Sequence, residues 1–102
     1  MNAVYQRGNV FRIRFLDEEI LHTIKKAENI DEGQLILGET YTAIFEGYHA
    51  DQESMDFAIL GNNRLFTQVR IKKSEIDDER ISVRCVWKSV TVYTSTGGNE
   101  NG

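Results

Sequence analysis

Three short stretches of the chain alternate apolar with basic residues, so that arginine or lysine takes every second place. They cover residues 11–15, 69–72 and 83–88. Successive side chains of a β-strand point to opposite faces, so this alternation predicts strands with an apolar inner face and a cationic outer face. The pattern therefore predicts a mostly β fold and, with it, a basic surface.

Other apolar runs bounded by turn residues predict further strands. Gly61-Asn62-Asn63 marks the clearest hairpin, because Gly and Asn tolerate the positive φ of tight turns. Along residues 81–94 the apolar positions change from odd to even residue numbers, which predicts a bulge or bend near Ser89. Trp87 precedes this change and is therefore placed among the inward residues. The predicted strands cover residues 10–16, 34–37, 40–48, 56–60, 65–73 and 81–94.

Residues 17–28 are predicted to form a three-turn helix. Asp17 suits an N-cap, acidic residues follow it, two lysines lie near the end, and Asn29 can close the helix. The alternative is a hairpin in which residues 20–25 return alongside the first strand. Five or six strands with one short helix predict a small single-domain barrel or a strongly bent antiparallel sheet, SH3-like or OB-like in size.

The domain is expected to cover residues 1–94, followed by a Gly/Asn-rich disordered tail over 95–102. The formal net charge of −4 argues against indiscriminate binding of polyanions. Cys85 is the single cysteine, so no intramolecular disulfide can form and a cytoplasmic setting is favoured. The sequence shows neither a signal peptide nor an apolar run of about 18 residues, so no membrane association is expected.

Motifs for catalysis, metal binding and cofactor binding are absent from the sequence. Cys85 could pair with His22 or His49, but it lies among inward residues, where cysteine is usually inert. The acidic stretch around Asp51 lacks the spacing of a calcium loop, and no glycine-rich phosphate motif occurs. An enzyme is therefore not expected, and neither is a bound metal or cofactor.

The basic surface is the strongest candidate for a binding site. It combines cations on the outer face of the predicted strands with two exposed aromatic residues, while most carboxylates are expected at strand ends. The ordinary alternative is a solvated face whose cations pair with acidic residues and prevent edge aggregation. The candidate residues are Arg12, Arg14, Tyr48, Phe66, Arg70, Lys72, Arg84 and Lys88.

By elimination, the sequence predicts a non-enzymatic binding module or small regulator that acts through protein–protein contacts, with Tyr48 and Phe66 as anchors. The first alternative is nucleic-acid binding, preferably single-stranded, on the Arg/Lys-rich face. The second is a small enzyme whose site assembles only in three dimensions. An edge strand near residues 86–92 is also a candidate for pairing with a second copy of the chain. The identity of the partner does not follow from the sequence.

Overall fold

The structure, a computed structural model, describes residues 5–87. In this range the chain forms five strands and two helical segments. Their order is β1 (Val10–Phe15), α1 (Glu18–Glu28), β2 (Thr40–Tyr48), β3 (Ser54–Leu60), β4 (Phe66–Lys72), α2 (Lys73–Asp77) and β5 (Ile81–Trp87).

The five strands form one sheet in the order β4-β3-β2-β1-β5, and every neighbouring pair is antiparallel. This confirms the prediction of a mostly β domain with a short helix. In the described range the edge strands β4 and β5 do not pair with each other, so the sheet is open. Closure into a barrel is therefore not shown.

Helix α1 lies where its capping residues predict it. The Asp17 carboxylate accepts hydrogen bonds from the backbone N–H groups of Glu19 and Ile20, at 2.9 and 3.1 Å. Asn29 ends the helix in the left-handed conformation, at φ 57°. Both caps satisfy backbone groups that a helix leaves unpaired at its ends. The helix prediction is confirmed, and the alternative hairpin is wrong.

The core lies between the inner face of the sheet and α1, which packs against β1 and β4. Alternate strand residues face inwards, and Leu21 and Ile24 come from the helix. Phenyl rings meet edge to face at its centre, with Phe57 5.5 Å from Phe11 and 5.4 Å from Phe45. The buried apolar residues of the strands are Phe11, Ile13, Phe15, Tyr41, Ala43, Phe45, Met55, Phe57, Ile59, Val69, Ile71 and Ile81.

The prediction of a strand over residues 34–37 is wrong, since this segment forms turns. Leu35 is fully buried beneath the sheet. The Gln34 side-chain oxygen accepts a hydrogen bond from Asn63 N–H at 2.8 Å, and the Gln34 carbonyl accepts one from Asn62 N–H at 3.0 Å. These bonds to the β3–β4 hairpin replace the pairing that a strand would need.

The hairpin itself is present, but Leu65, at the start of the predicted strand 65–73, does not belong to β4. It precedes β4 in the turn and is 64% exposed. At the other end of β3, Ser54 and Met55 belong to the strand and not to the preceding acidic loop. The segment between the predicted strands 65–73 and 81–94 contains α2, which begins at Lys73.

Two bulges change which face the following residues occupy. On β2, Glu46 is the extra residue between the pairs Phe45–Phe57 and Gly47–Asp56. On β5, Val86 is the extra residue between the pairs Phe11–Cys85 and Val10–Trp87.

The β5 bulge places Trp87 beside Val10, away from the core, so the prediction of an inward Trp87 is wrong. Its side chain is 54% exposed. The parity change therefore occurs at Val86, earlier than the predicted bulge. Ser89, the second half of the predicted last strand and the domain boundary at residue 94 lie outside the described residues.

Candidate functional site

The side of the sheet opposite α1 is called here the outer face. Directly opposed residues of an antiparallel pair lie on the same face, so the strand registers define rows of side chains across it. On β5, β1 and β2 the rows are Trp87–Val10–Ile44, Arg84–Arg12–Thr42 and Ser82–Arg14–Thr40.

Arg12, Arg14 and Arg84 form the arginine cluster. Arg12 lies directly opposite Arg84 on the neighbouring strand, and Arg14 is two residues further along β1. Among residues 5–87, no carboxylate oxygen lies within 4.0 Å of any of the three guanidinium groups. Like charges directly opposed across a sheet are destabilising, so this cluster disfavours the isolated fold slightly.

The arginine cluster borders a shallow depression of about 290 Å³, which Thr40 and Ser82 complete. All five of these residues are exposed. Guanidinium groups only donate hydrogen bonds, and hydroxyl groups can donate as well as accept. A surface lined by three guanidinium groups and two hydroxyls is suited to phosphate or carboxylate oxygens, which guanidinium binds through paired hydrogen bonds.

Trp87 lies in the row next to Arg12 and Arg84, about 7 Å along the strand. An exposed indole therefore adjoins the arginine cluster on the same face. Sequence reasoning left this residue out of the candidate set because it assumed unbroken alternation through Trp87. The change of parity among the apolar positions of the last predicted strand indicated a bulge, but it did not place that bulge at Val86.

Arg70 belongs to a separate group on the outer face. Its Nε lies 3.6 Å from Asp56 Oδ1, and His49 Nε2 lies 2.9 Å from Asp56 Oδ2. Neither contact has hydrogen-bond geometry. β4 is three strands from β1, or roughly 14 Å, which separates Arg70 from the arginine cluster. Asp56 departs from the expectation that most carboxylates lie at strand ends, since it lies within β3, opposite Arg70.

The remaining candidate residues are dispersed. Lys72 and Phe66 lie on the outer face of β4, at its two ends, and both are exposed. Tyr48 is 38% exposed, but the β2 bulge places it on the inner side, with its ring 5.4 Å from that of Phe45. Tyr48 and Phe66 therefore do not share one surface. Lys88 lies outside the described residues.

The groups considered for catalysis lie on different elements. Cys85 is half-buried against the core, His22 is on α1, and His49 follows β2 beside Asp56. No contact joins Cys85 to either histidine in the described part of the chain. Over the same residues, no group of three or more His, Cys, Asp or Glu side chains is placed to hold a metal ion. Neither helix there has the length and apolar character required to cross a membrane.

Comparison of the chain with protein-family models, with curated protein sequences and with solved structures finds no match. The geometry of the outer face is therefore the basis for assigning a function.

Proposed function

We propose that the protein is a non-enzymatic binding module that engages an anionic macromolecule through the arginine cluster and Trp87. The observation that carries this proposal is the pairing of Arg12 with Arg84, with no carboxylate beside either among residues 5–87. A bound anion offsets the repulsion between the two guanidinium groups, so the feature that disfavours the isolated fold favours the complex.

The charge balance of the chain strengthens this argument. Sixteen acidic residues are available against twelve lysines and arginines. On a merely solvated face, cations pair with acidic residues on neighbouring strands, as Arg70 does with Asp56. The absence of such a partner at the arginine cluster, within the range described, supports a surface kept open for an external anion.

Two kinds of macromolecule carry the required charge. An acidic segment of a protein agrees with the role of arginine and tryptophan as interface anchors. A nucleic-acid backbone is the second candidate, and the position of Trp87 favours it. A regulatory role, a cytoplasmic setting and wrapping of the sheet into a small SH3-like or OB-like barrel are further parts of the proposal.

Self-association belongs to the proposal in a weaker form. β5 is an edge of the described sheet, and Val86 is exposed there. An edge strand offers unpaired backbone groups to a second copy of the chain. Concentration-dependent sedimentation of the protein without ligand tests this point separately.

Thermal unfolding with pyrophosphate tests the site without assuming a class of partner. A ligand that binds only the folded state raises Tm, and the stabilisation grows with the logarithm of 1 + [ligand]/Kd. We expect pyrophosphate, compared with sodium chloride at equal ionic strength, to raise the Tm of the wild type but not that of Arg84→Gln. Lys72→Gln is the control, because it removes one exposed charge from the same face outside the cluster. An equal rise in all three proteins contradicts the proposal.

A further inference from the structure

We infer that the partner is a single-stranded nucleic acid, with one base stacked on Trp87 and successive phosphates bound by the arginine cluster. This inference rests on the proposed function and adds the class of partner. It follows from the arrangement of aromatic and cationic rows on β1 and β5.

Trp87 offers an exposed aromatic surface for stacking. Its side chain is more than half exposed at an edge of the sheet, beside the half-buried Val10. An exposed indole provides a flat apolar surface on which any unpaired base can stack, and such stacking tolerates every base. The bulge at Val86 is what turns this side chain to the same face as the arginines.

The aromatic row and the two cationic rows follow one another along β1. Arg12 and Arg84 form one row, and Arg14 forms the next row together with Ser82 and Thr40. The two rows are about 7 Å apart along β1, with the Trp87 row a similar distance beyond the first. A chain that follows β1 therefore meets an aromatic surface and then two consecutive cationic rows. This order matches a base followed by the phosphates of its own strand.

A single strand differs from the other anionic partners in the groups that it can present to this surface. A duplex presents its phosphates but keeps its base faces stacked inside, so Trp87 gains no base contact. An acidic peptide presents carboxylates to the arginine cluster, but it offers no flat ring at regular intervals. Only an unpaired nucleic-acid strand supplies both kinds of group along one path.

The test uses fluorescence anisotropy with three labelled probes, which are a twelve-nucleotide oligothymidylate, the same strand in a duplex, and a twelve-residue polyglutamate. Binding is measured from about 50 mM to 200 mM salt. We expect the single strand to bind tightest. Its log-log salt slope should be about −2 for three phosphate contacts, because each contact contributes about −0.7.

Variants then separate stacking from charge. Trp87→Leu should weaken single-strand binding about tenfold or more without changing the salt slope, and Trp87→Phe should restore part of the loss. Arg12→Gln should make the slope shallower by about 0.7, whereas the control Lys72→Gln should leave affinity and slope unchanged. Trp87 is the only tryptophan of the chain, so quenching of its intrinsic emission reports the base contact directly.

The outcomes distinguish this inference from the proposed function. If polyglutamate or the duplex binds tighter than the single strand, or if Trp87→Leu has no effect, the single-strand inference is overturned. In that case, loss of binding in Arg12→Gln still supports docking of anions at the cluster. If no probe binds at low salt and pyrophosphate does not raise Tm, the proposed function fails as well.

Discussion

Arg70 and Arg84 occupy comparable places on β4 and β5, the edge strands of the sheet that residues 5–87 form, and both point to its outer face. They differ in the residue that faces each of them on the neighbouring strand. Opposite Arg70 is Asp56, which also lies beside His49. Opposite Arg84 is Arg12. One arginine is therefore neutralised within the fold, whereas the other adds to an uncompensated charge.

This difference shows how a structural arginine can be distinguished from a candidate binding residue on a single face. Exposure does not separate them, since Arg70 and Arg84 are both exposed. The sign of the cross-strand neighbour does, because an opposed carboxylate stabilises a sheet and an opposed cation destabilises it. Substitutions that exchange these neighbours should therefore move stability in opposite directions.

The largest effect is expected from Asp56→Asn, which removes the counter-charge from the Arg70 side. The Asp56 side chain is only 17% exposed and lies between a guanidinium and an imidazole. We expect the free energy of unfolding, measured in urea at pH 7, to fall by about 1–2 kcal/mol, between the values for exposed and for buried ion pairs. Arg70→Gln is the companion variant. Its side chain is 55% exposed, so its loss should stay below about 1 kcal/mol. An Asp56→Asn variant as stable as the wild type would show that the pair has no structural role.

A smaller effect of opposite sign is expected from Arg84→Glu, which gives Arg12 an opposed carboxylate. The free energy of unfolding should rise by about 0.2–1 kcal/mol, while binding of anions at the cluster is lost. Arg84→Gln, which only removes the repulsion, should give an intermediate stability. Urea titrations of the three proteins check this order. A destabilised Arg84→Glu would mean that the arginine has a structural role like that of Arg70.

The smallest effect is expected to be a loss of stability at acidic pH, and it should come from the carboxylate of Asp51. In the loop before β3, hydrogen bonds from the backbone N–H groups of Glu53 and Ser54 lower the pKa of Asp51. A lowered pKa in the folded state means that this carboxylate contributes stability above its unfolded pKa, and that the contribution is lost as pH falls through the folded value.

The stability difference between the wild type and Asp51→Asn should therefore shrink between neutral pH and about pH 3. Thermal unfolding across this range measures the change, and Glu53→Gln in the same loop is the control. A difference that is constant with pH would exclude the Asp51 carboxylate as a source of acid sensitivity.

Local patterns were sufficient to predict much of the fold. The alternation in β1, the capping residues Asp17 and Asn29 of α1, and the Gly61-Asn62-Asn63 hairpin all act through neighbours in the sequence. The segment 34–37 could not be assigned in this way, because Leu35 and Gln34 are held by contacts with the distant β3–β4 hairpin.

The candidate site was predicted in part for a related reason. Alternation identified the outward arginines, but it could not show that β5 pairs with β1 while β4 lies three strands away. It therefore grouped Arg70 with Arg84. The two bulges explain why the faces of Tyr48 and Trp87 were predicted wrongly. An extra residue in one strand can be recognised only from the pairing with the neighbouring strand. Tyr48 was expected on the outer face and Trp87 on the inner face, and each occupies the other side.

The bulge at Val86 has a consequence for how such a surface can change in evolution. The extra residue lets Trp87 pair with Val10, as residue 86 would in an unbulged strand, while the pairs from Phe11–Cys85 to Phe15–Ile81 keep their register. Deletion of the codon for Val86 should therefore leave the tryptophan opposite Val10 on the outer face, because the bulge absorbs the change in length. Straightening the bulge at constant length should instead turn Trp87 towards the core. In this protein the aromatic surface depends on the conformation of β5 at Val86 and tolerates a change of one residue in its length.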